Sequence, residues 1–206
     1  LFAIVGTGLV AYTFENTEER IKLNEKNALL RSLHALIPPE KHDNDIFHDT
    51  LQVTMPAMLG TSDLVAVYRA RKNGEPVAIA LTAVAPNGYS GAIKLLIGIL
   101  YDGTLAGVRI VTHHETPGLG DAIEETRSDW VLSFSGKSLE NPNKAGWKVK
   151  KDGGVFDQFT GATITPRAVV KAVHKALLYY NQERDKLFSF RKEPKPKPTL
   201  EKSSET

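Results

Sequence analysis

Ala92-Ile93-Lys94-Leu95-Leu96-Ile97-Gly98-Ile99-Leu100-Tyr101-Asp102-Gly103-Thr104-Leu105-Ala106-Gly107-Val108-Arg109-Ile110-Val111-Thr112 is two apolar runs parted by Asp-Gly. That dipeptide between apolar runs favours a tight antiparallel hairpin, whose turn twists with the strands that it joins. The preceding stretch repeats the pattern. Leu64 to Arg71 alternates, Lys72-Asn73-Gly74-Glu75 turns, and Val77 to Val84 is a near-continuous apolar strand ended by Pro86-Asn87-Gly88. Two hairpins in succession imply antiparallel strands. The fold class is therefore α+β, antiparallel hairpins with packed helices, rather than a doubly wound parallel sheet.

Downstream of the hairpins, His113 to Asp121 breaks the pattern, and Asp121 to Phe134 reads as one helix with an acidic first turn. Gly136 to Gly146 reads as a polar loop and Trp147 to Lys150 as a short strand. Lys151-Asp152-Gly153-Gly154 then turns the chain into Asp157-Gln158-Phe159-Thr160-Gly161-Ala162-Thr163-Ile164-Thr165-Pro166. Thr165-Pro166 predicts an N-cap and first helical residue. The helix runs to about Gln182, with Val169, Ala172, Val173, Ala176, Leu177 and Tyr180 as its core-facing stripe. Gly161 and Ala162 leave the backbone uncovered, and free N–H groups at the helix start attract an anion. Taken alone, the stretch reads as a loop that caps a helix.

Upstream, Leu1 to Phe14 carries no charge. Fourteen helical residues span about 21 Å, short of the roughly 30 Å hydrocarbon core unless residues before Leu1 extend them. A signal-peptide core fits the length too, but no small-x-small cleavage site follows. The segment is therefore read as a transmembrane helix whose orientation is not set by flanking Lys or Arg. A helix from Glu15 to Ile37 follows, stopped by Pro38-Pro39. The expected organisation is an anchor over 1–14, a juxtamembrane helix over 15–39, a globular domain over 40–190 and a disordered Pro- and Lys-rich tail over 191–206. Residues 40–63 read as irregular. Their His42, Asp43, Asp45, His48 and Asp49 lack a ligand spacing, so no metal site is expected.

The chain of 206 residues has no cysteine, which excludes disulfides, thiolate catalysis and Cys-ligated metals within it. A net charge of +2 makes no case for nucleic acid. No G-x-G-x-x-G follows a strand, and no nucleophile elbow accompanies His114 and Glu115, so neither a nicotinamide site nor a Ser or Thr hydrolase is expected. Trp130 and Trp147 read as core residues. His113 and His114, adjacent on a strand, point to opposite faces.

Two stretches together carry a family resemblance: His114-Glu115-Thr116-Pro117-Gly118-Leu119-Gly120-Asp121, after the Gly88-Tyr89-Ser90-Gly91 turn and hairpin, and Asp157 to Thr163, which fits D-x-x-[ST]-G-A-T. Both resemble the FMN-binding domain of the G subunit of Rnf (Rsx) ion-translocating electron transport complexes. The C subunit of the sodium-pumping NADH:quinone oxidoreductase is a close relative of that domain and the main alternative; a cofactor-free, membrane-anchored binding module is another. The resemblance implies FMN joined through its phosphate to Thr163 by a separate flavin transferase that uses FAD. The residue chemistry is consistent: Gly161 and Ala162 would let a transferase close over Thr163, Asp157 would orient the segment or position the nucleophile, and the Thr160 and Thr165 hydroxyls would partner the phosphate or ribityl chain, with Arg167 as a further charge partner. By the resemblance, Glu115, Thr116, Pro117, Gly118 and Leu119 would help form the flavin pocket. The resemblance further implies a membrane-anchored electron carrier in the inner membrane, its FMN domain on the periplasmic side. There it would work with other membrane subunits moving electrons between ferredoxin and NAD while Na+ or H+ is translocated.

Overall fold

A computed structural model describes residues 17, 20, 21 and 23–189. The expected anchor over 1–14 and tail over 191–206 lie outside the described residues. Among the described residues no helix is long and apolar enough to cross a membrane.

Five antiparallel strands form one meander in chain order: β1 (Thr50–Val53), β2 (Val65–Lys72), β3 (Glu75–Ala85), β4 (Ile93–Leu100) and β5 (Leu105–Thr112). The two expected hairpins are β2–β3 and β4–β5. Alternation assigns the faces. Ile79, Leu81, Ala83 and Ala85 of β3 join Ile93, Leu95, Ile97 and Ile99 of β4 in the main core under helix α3 (Ile164–Phe188). Ala78, Ala80 and Leu96 belong to a second core on the opposite face, under helix α1 (23–36). With both faces covered, β3 is apolar at nearly every position, which is why it reads as an unbroken run.

The second face is built from small residues. Gly98 and Gly107 are cross-strand partners, and a Cβ on either would lie 3.0 Å from a Leu36 carbon. Leu36 thus seats in a glycine-lined groove, and the end of α1 is a packing element of the domain. Leu36→Ala should cost about 2–4 kcal/mol, because sheet backbone on either side cannot collapse into the space. An unchanged urea midpoint would refute that seating.

Four expectations change. Asp121 to Phe134 is two 3-10 segments, Gly120–Ile123 and Asp129–Phe134, not one helix. Ser128 divides them: extended, it donates its hydroxyl to Ala122 O and accepts from Trp130 N, a local bonding pattern that competes with helix. Trp147 to Lys150 forms no strand beyond a single bridge from Val149 to Phe156. The stretch 40–63 is not wholly irregular, since it supplies β1 and a single helical turn, α2 (Pro56–Leu59). Helix α3 continues six residues past Gln182, and its end is tied to β2. Arg69 donates to Ser189 O and Arg71 to Phe188 O, while Asp49 pairs with both guanidinium groups. Cations there suit the partial negative charge of a helix C-terminus.

The remaining residues of the irregular stretch are structural. His48 bonds Asp45, Asp43 accepts from Asn73 N, and the His42 ring meets Asn44 O. No group of three or more metal-ligating side chains forms among the described residues.

Candidate functional site

Glu115 is the hub of the region. The residue is 4% exposed, and its carboxylate joins its own loop to two segments distant in sequence. Oε1 accepts from Ser90 N at 3.0 Å, in the turn between β3 and β4, and Oε2 accepts from the Thr165 hydroxyl in the first turn of α3. Gly120 makes this approach feasible, since a Cβ there would sit 2.7 Å from Glu115 Oε2 and 3.1 Å from Thr165 Oγ1. The two motifs of the sequence are thereby locked together.

Thr116, Pro117, Gly118 and Leu119 form a turn closed by Leu119 N to Thr116 O at 3.1 Å, with Gly118 at φ 77°. Pro second and a positive-φ Gly third match a type II turn. Glu115 N is held in addition by His113 Nδ1 at 3.0 Å, while His113 Nε2 meets Glu124 at 2.6 Å. A ring nitrogen that accepts a backbone N–H is unprotonated, so Nε2 carries the proton given to Glu124. His113 is therefore a strut for the turn, and that hydrogen bond holds the Glu124 carboxyl below its usual pKa. His114 is exposed.

Phe159 to Ala162 forms a second tight turn, closed by Ala162 N to Phe159 O at 3.2 Å. Gly161 has φ 81°, and a Cβ on it would touch Leu119 Cδ2 at 3.5 Å, so the two turns face each other. Phe159 anchors this loop edge-on against Trp130, whose Nε1 also donates to Asp157 O. Trp130 and Trp147 are buried in the aromatic cluster below and present no ring to the site.

The hydroxyls part company here. Thr165 does not cap the helix; it is fully buried and spent on Glu115. Thr163 is the N-cap residue, half-buried, with no side-chain cap bond. Thr160 is exposed. Among the described residues no acceptor takes the N–H of Ile164 or Thr165, the donors that a helix start leaves open. Asp157 is exposed and paired with Lys150 at 2.6 Å, which removes it from the hydroxyls. Arg167 is engaged by both oxygens of Asp152 at 2.6 Å.

Apolar side chains are exposed beside Thr163 and at the Glu115-bound turn. Leu119 and Ile164 are 45% and 47% exposed, and Tyr89, next to the Glu115-bound Ser90, is 68% exposed. Tyr89 and Ser90 were missed by sequence reasoning as site residues. Their only signal was a Gly-flanked turn. Among the described residues the site is a shelf with one half-buried hydroxyl, the exposed Ile164 amide and apolar neighbours. Those features fit FMN, whose phosphate wants N–H donors and whose ring wants flat apolar surface.

Comparison with known proteins agrees. The FMN-binding domain family matches residues 88–178, from the Ser90 turn through most of α3. The RnfG N-terminal region matches residues 1–36, ending at the groove-seated Leu36. The chain is 51% identical to the G subunit of the ion-translocating oxidoreductase complex of Pseudoalteromonas atlantica, over 92% of its own length and 88% of the relative's. The proteins of the same name from Vibrio atlanticus and Pseudomonas aeruginosa are 50% and 52% identical, each over 92% of this chain and 90% and 88% of the relative. The chain belongs to the G subunit family of Rnf ion-translocating oxidoreductase complexes, with an FMN-binding domain built around the Glu115 hub.

Proposed function

We propose that this chain is the covalent flavin carrier of its complex, with FMN held as a phosphodiester on Thr163 Oγ1. The single observation that carries the reading is the division of labour among the hydroxyls: Thr165 is buried on Glu115, while Thr163 makes no cap bond and stands at open helix amides. In the attachment, Thr163 Oγ1 attacks the phosphorus on the FMN side of the FAD diphosphate. A threonyl ester bond forms, the P–O–P link breaks, AMP leaves with the bridging oxygen, and the hydroxyl proton passes to the transferase. The chain supplies an accessible hydroxyl, a hairpin bend that lets another active site close over it, and N–H donors for the ester.

Bound FMN supplies reversible one- and two-electron chemistry; the protein's share is to hold it and place it. Leu119, Ile164 and Tyr89 offer the ring an apolar bed, and the Thr116 to Leu119 turn stiffens its edge. The carrier reading extends to a place among other membrane subunits, at the inner membrane with the FMN domain on the periplasmic side, in electron transfer between ferredoxin and NAD coupled to Na+ or H+ movement. The RnfG N-terminal match and the named relatives favour this complex over the sodium-pumping quinone reductase.

The test is to express the full chain with and without a flavin transferase and measure its intact mass and in-gel fluorescence after denaturation. One added FMN phosphodiester only in the presence of the transferase is expected; an unmodified mass in both would overturn the reading. Gly161→Val probes the bend. Its Cβ meets only ordinary contact with Leu119, but a β-branched residue at φ 81° is strained by about 1–3 kcal/mol. Attachment should fall more than tenfold while circular dichroism stays native. Equal loss of both would make the glycine a folding residue instead.

A further inference from the structure

The surface beside Thr163 is charged on one side. Residues 137–178 hold eight Lys or Arg and three Asp or Glu, a net of +5, whereas all 206 residues sum to +2. Arg167 and Lys171 follow Thr163 at successive i+4 positions of α3, so they descend the same helix face over about 12 Å. They line an open groove of about 470 Å³ with Lys148, Asp152, Trp147 and His174. Among the described residues, Lys144, Lys148, Lys151 and Lys171 enter no ion pair. The one carboxylate in the groove, Asp152, is already bound by Arg167 and then lies in the field of Lys148 and Lys151. His174 stacks on Trp147 with rings 13° apart, and burial depresses its pKa, so it adds shape rather than charge at neutral pH.

We propose that this cationic face, flanking the flavin shelf at Thr163, docks an acidic electron-transfer protein. The proposal rests on the flavin standing at Thr163. Its charge runs too far along α3 for one phosphoryl group, and it begins where an electron would enter or leave. An apolar centre with a one-signed flank suits a transient redox encounter: the small apolar contact keeps the complex weak, and the charge sets rate and orientation. An acidic partner laid along Lys171, Lys148 and Arg167 would lie beside the Thr163 end of α3.

The experiment uses the full, flavinylated chain in detergent, reduced chemically, with two matched acceptors: basic cytochrome c and the same protein succinylated to make it acidic. Each reduced flavin gives two electrons to two ferric haems. The acidic form should be reduced about tenfold faster at low salt, with the advantage lost near 0.5 M salt. Lys148→Glu with Lys171→Glu, neither of which belongs to the shelf at Thr163, should abolish or invert it. Equal rates for both acceptors, or an unchanged preference in the double variant, would overturn the proposal. So would charge-dependent binding to anionic lipid vesicles without any acceptor preference, since that would make the face a membrane contact. Peptide mass and flavin-independent binding of the acidic cytochrome are measured on the same samples. Charge-dependent binding by a chain without FMN would leave the docking face standing and remove the carrier reading alone.

Discussion

Thr163→Ala is expected to abolish covalent flavin outright, with no fluorescence after denaturation and an unmodified tryptic peptide over 152–167. Alanine has no oxygen to esterify, and neither neighbouring threonine replaces it. Thr165 Oγ1 is fully buried on Glu115, and Thr160 sits on the far side of the Gly161 bend. Stability should hardly change, because the Thr163 side chain makes no cap bond and losing it costs well under about 1 kcal/mol. Thr163→Ser should restore attachment, since the reacting oxygen returns. Flavin found on Thr160 of the alanine variant would show that the transferase reads the loop rather than one position.

Glu115→Ala should have the largest effect on the fold of the site. It strands the Ser90 N–H and the Thr165 hydroxyl, a donor pair 25 and 50 residues from Glu115 in sequence and held only by its carboxylate. The orphaned Thr165 hydroxyl is fully buried while the exposed Ser90 N–H regains water, so the loss is about 1–3 kcal/mol. Urea unfolding measures this, and mass spectrometry of the same variant should show flavin occupancy reduced several-fold. Glu115→Gln should lose about 1 kcal/mol, as its carbonyl still accepts from Ser90 and its amide can donate to Thr165 Oγ1. Gly120→Ala reaches the same end by bulk, placing a methyl 2.9 Å from Glu115 Cβ. If Glu115→Ala unfolds at the parental urea concentration, the hub does not hold these segments.

Much of the fold was legible because its signals are local. The hairpins follow from turn residues and alternation, and all six residues of the α3 stripe from Val169 to Tyr180 are buried. The failures have causes of a kind periodicity does not see. Ser128 splits a well-formed helical pattern by bonding backbone on both sides, and β1 is a short, half-buried edge strand recruited by β2. The helix start was misplaced because Thr-Pro is a strong cap signal, whereas Thr165 is drawn inward by a carboxylate from another loop.

By itself, then, the sequence determined the antiparallel α+β class, the composition limits, and the two motifs whose order and spacing carry the family. Those depend on residue type and near neighbours. Only the tertiary structure decided which threonine hydroxyl is left over, that Glu115 joins the motifs, that Asp157 and Arg167 are already paired, and that lysines from a loop and a helix share one face. Each of these sets side chains from 7 to 50 residues apart against one another, and a hydrogen bond or a charge is allotted by distance in space, which no local rule encodes.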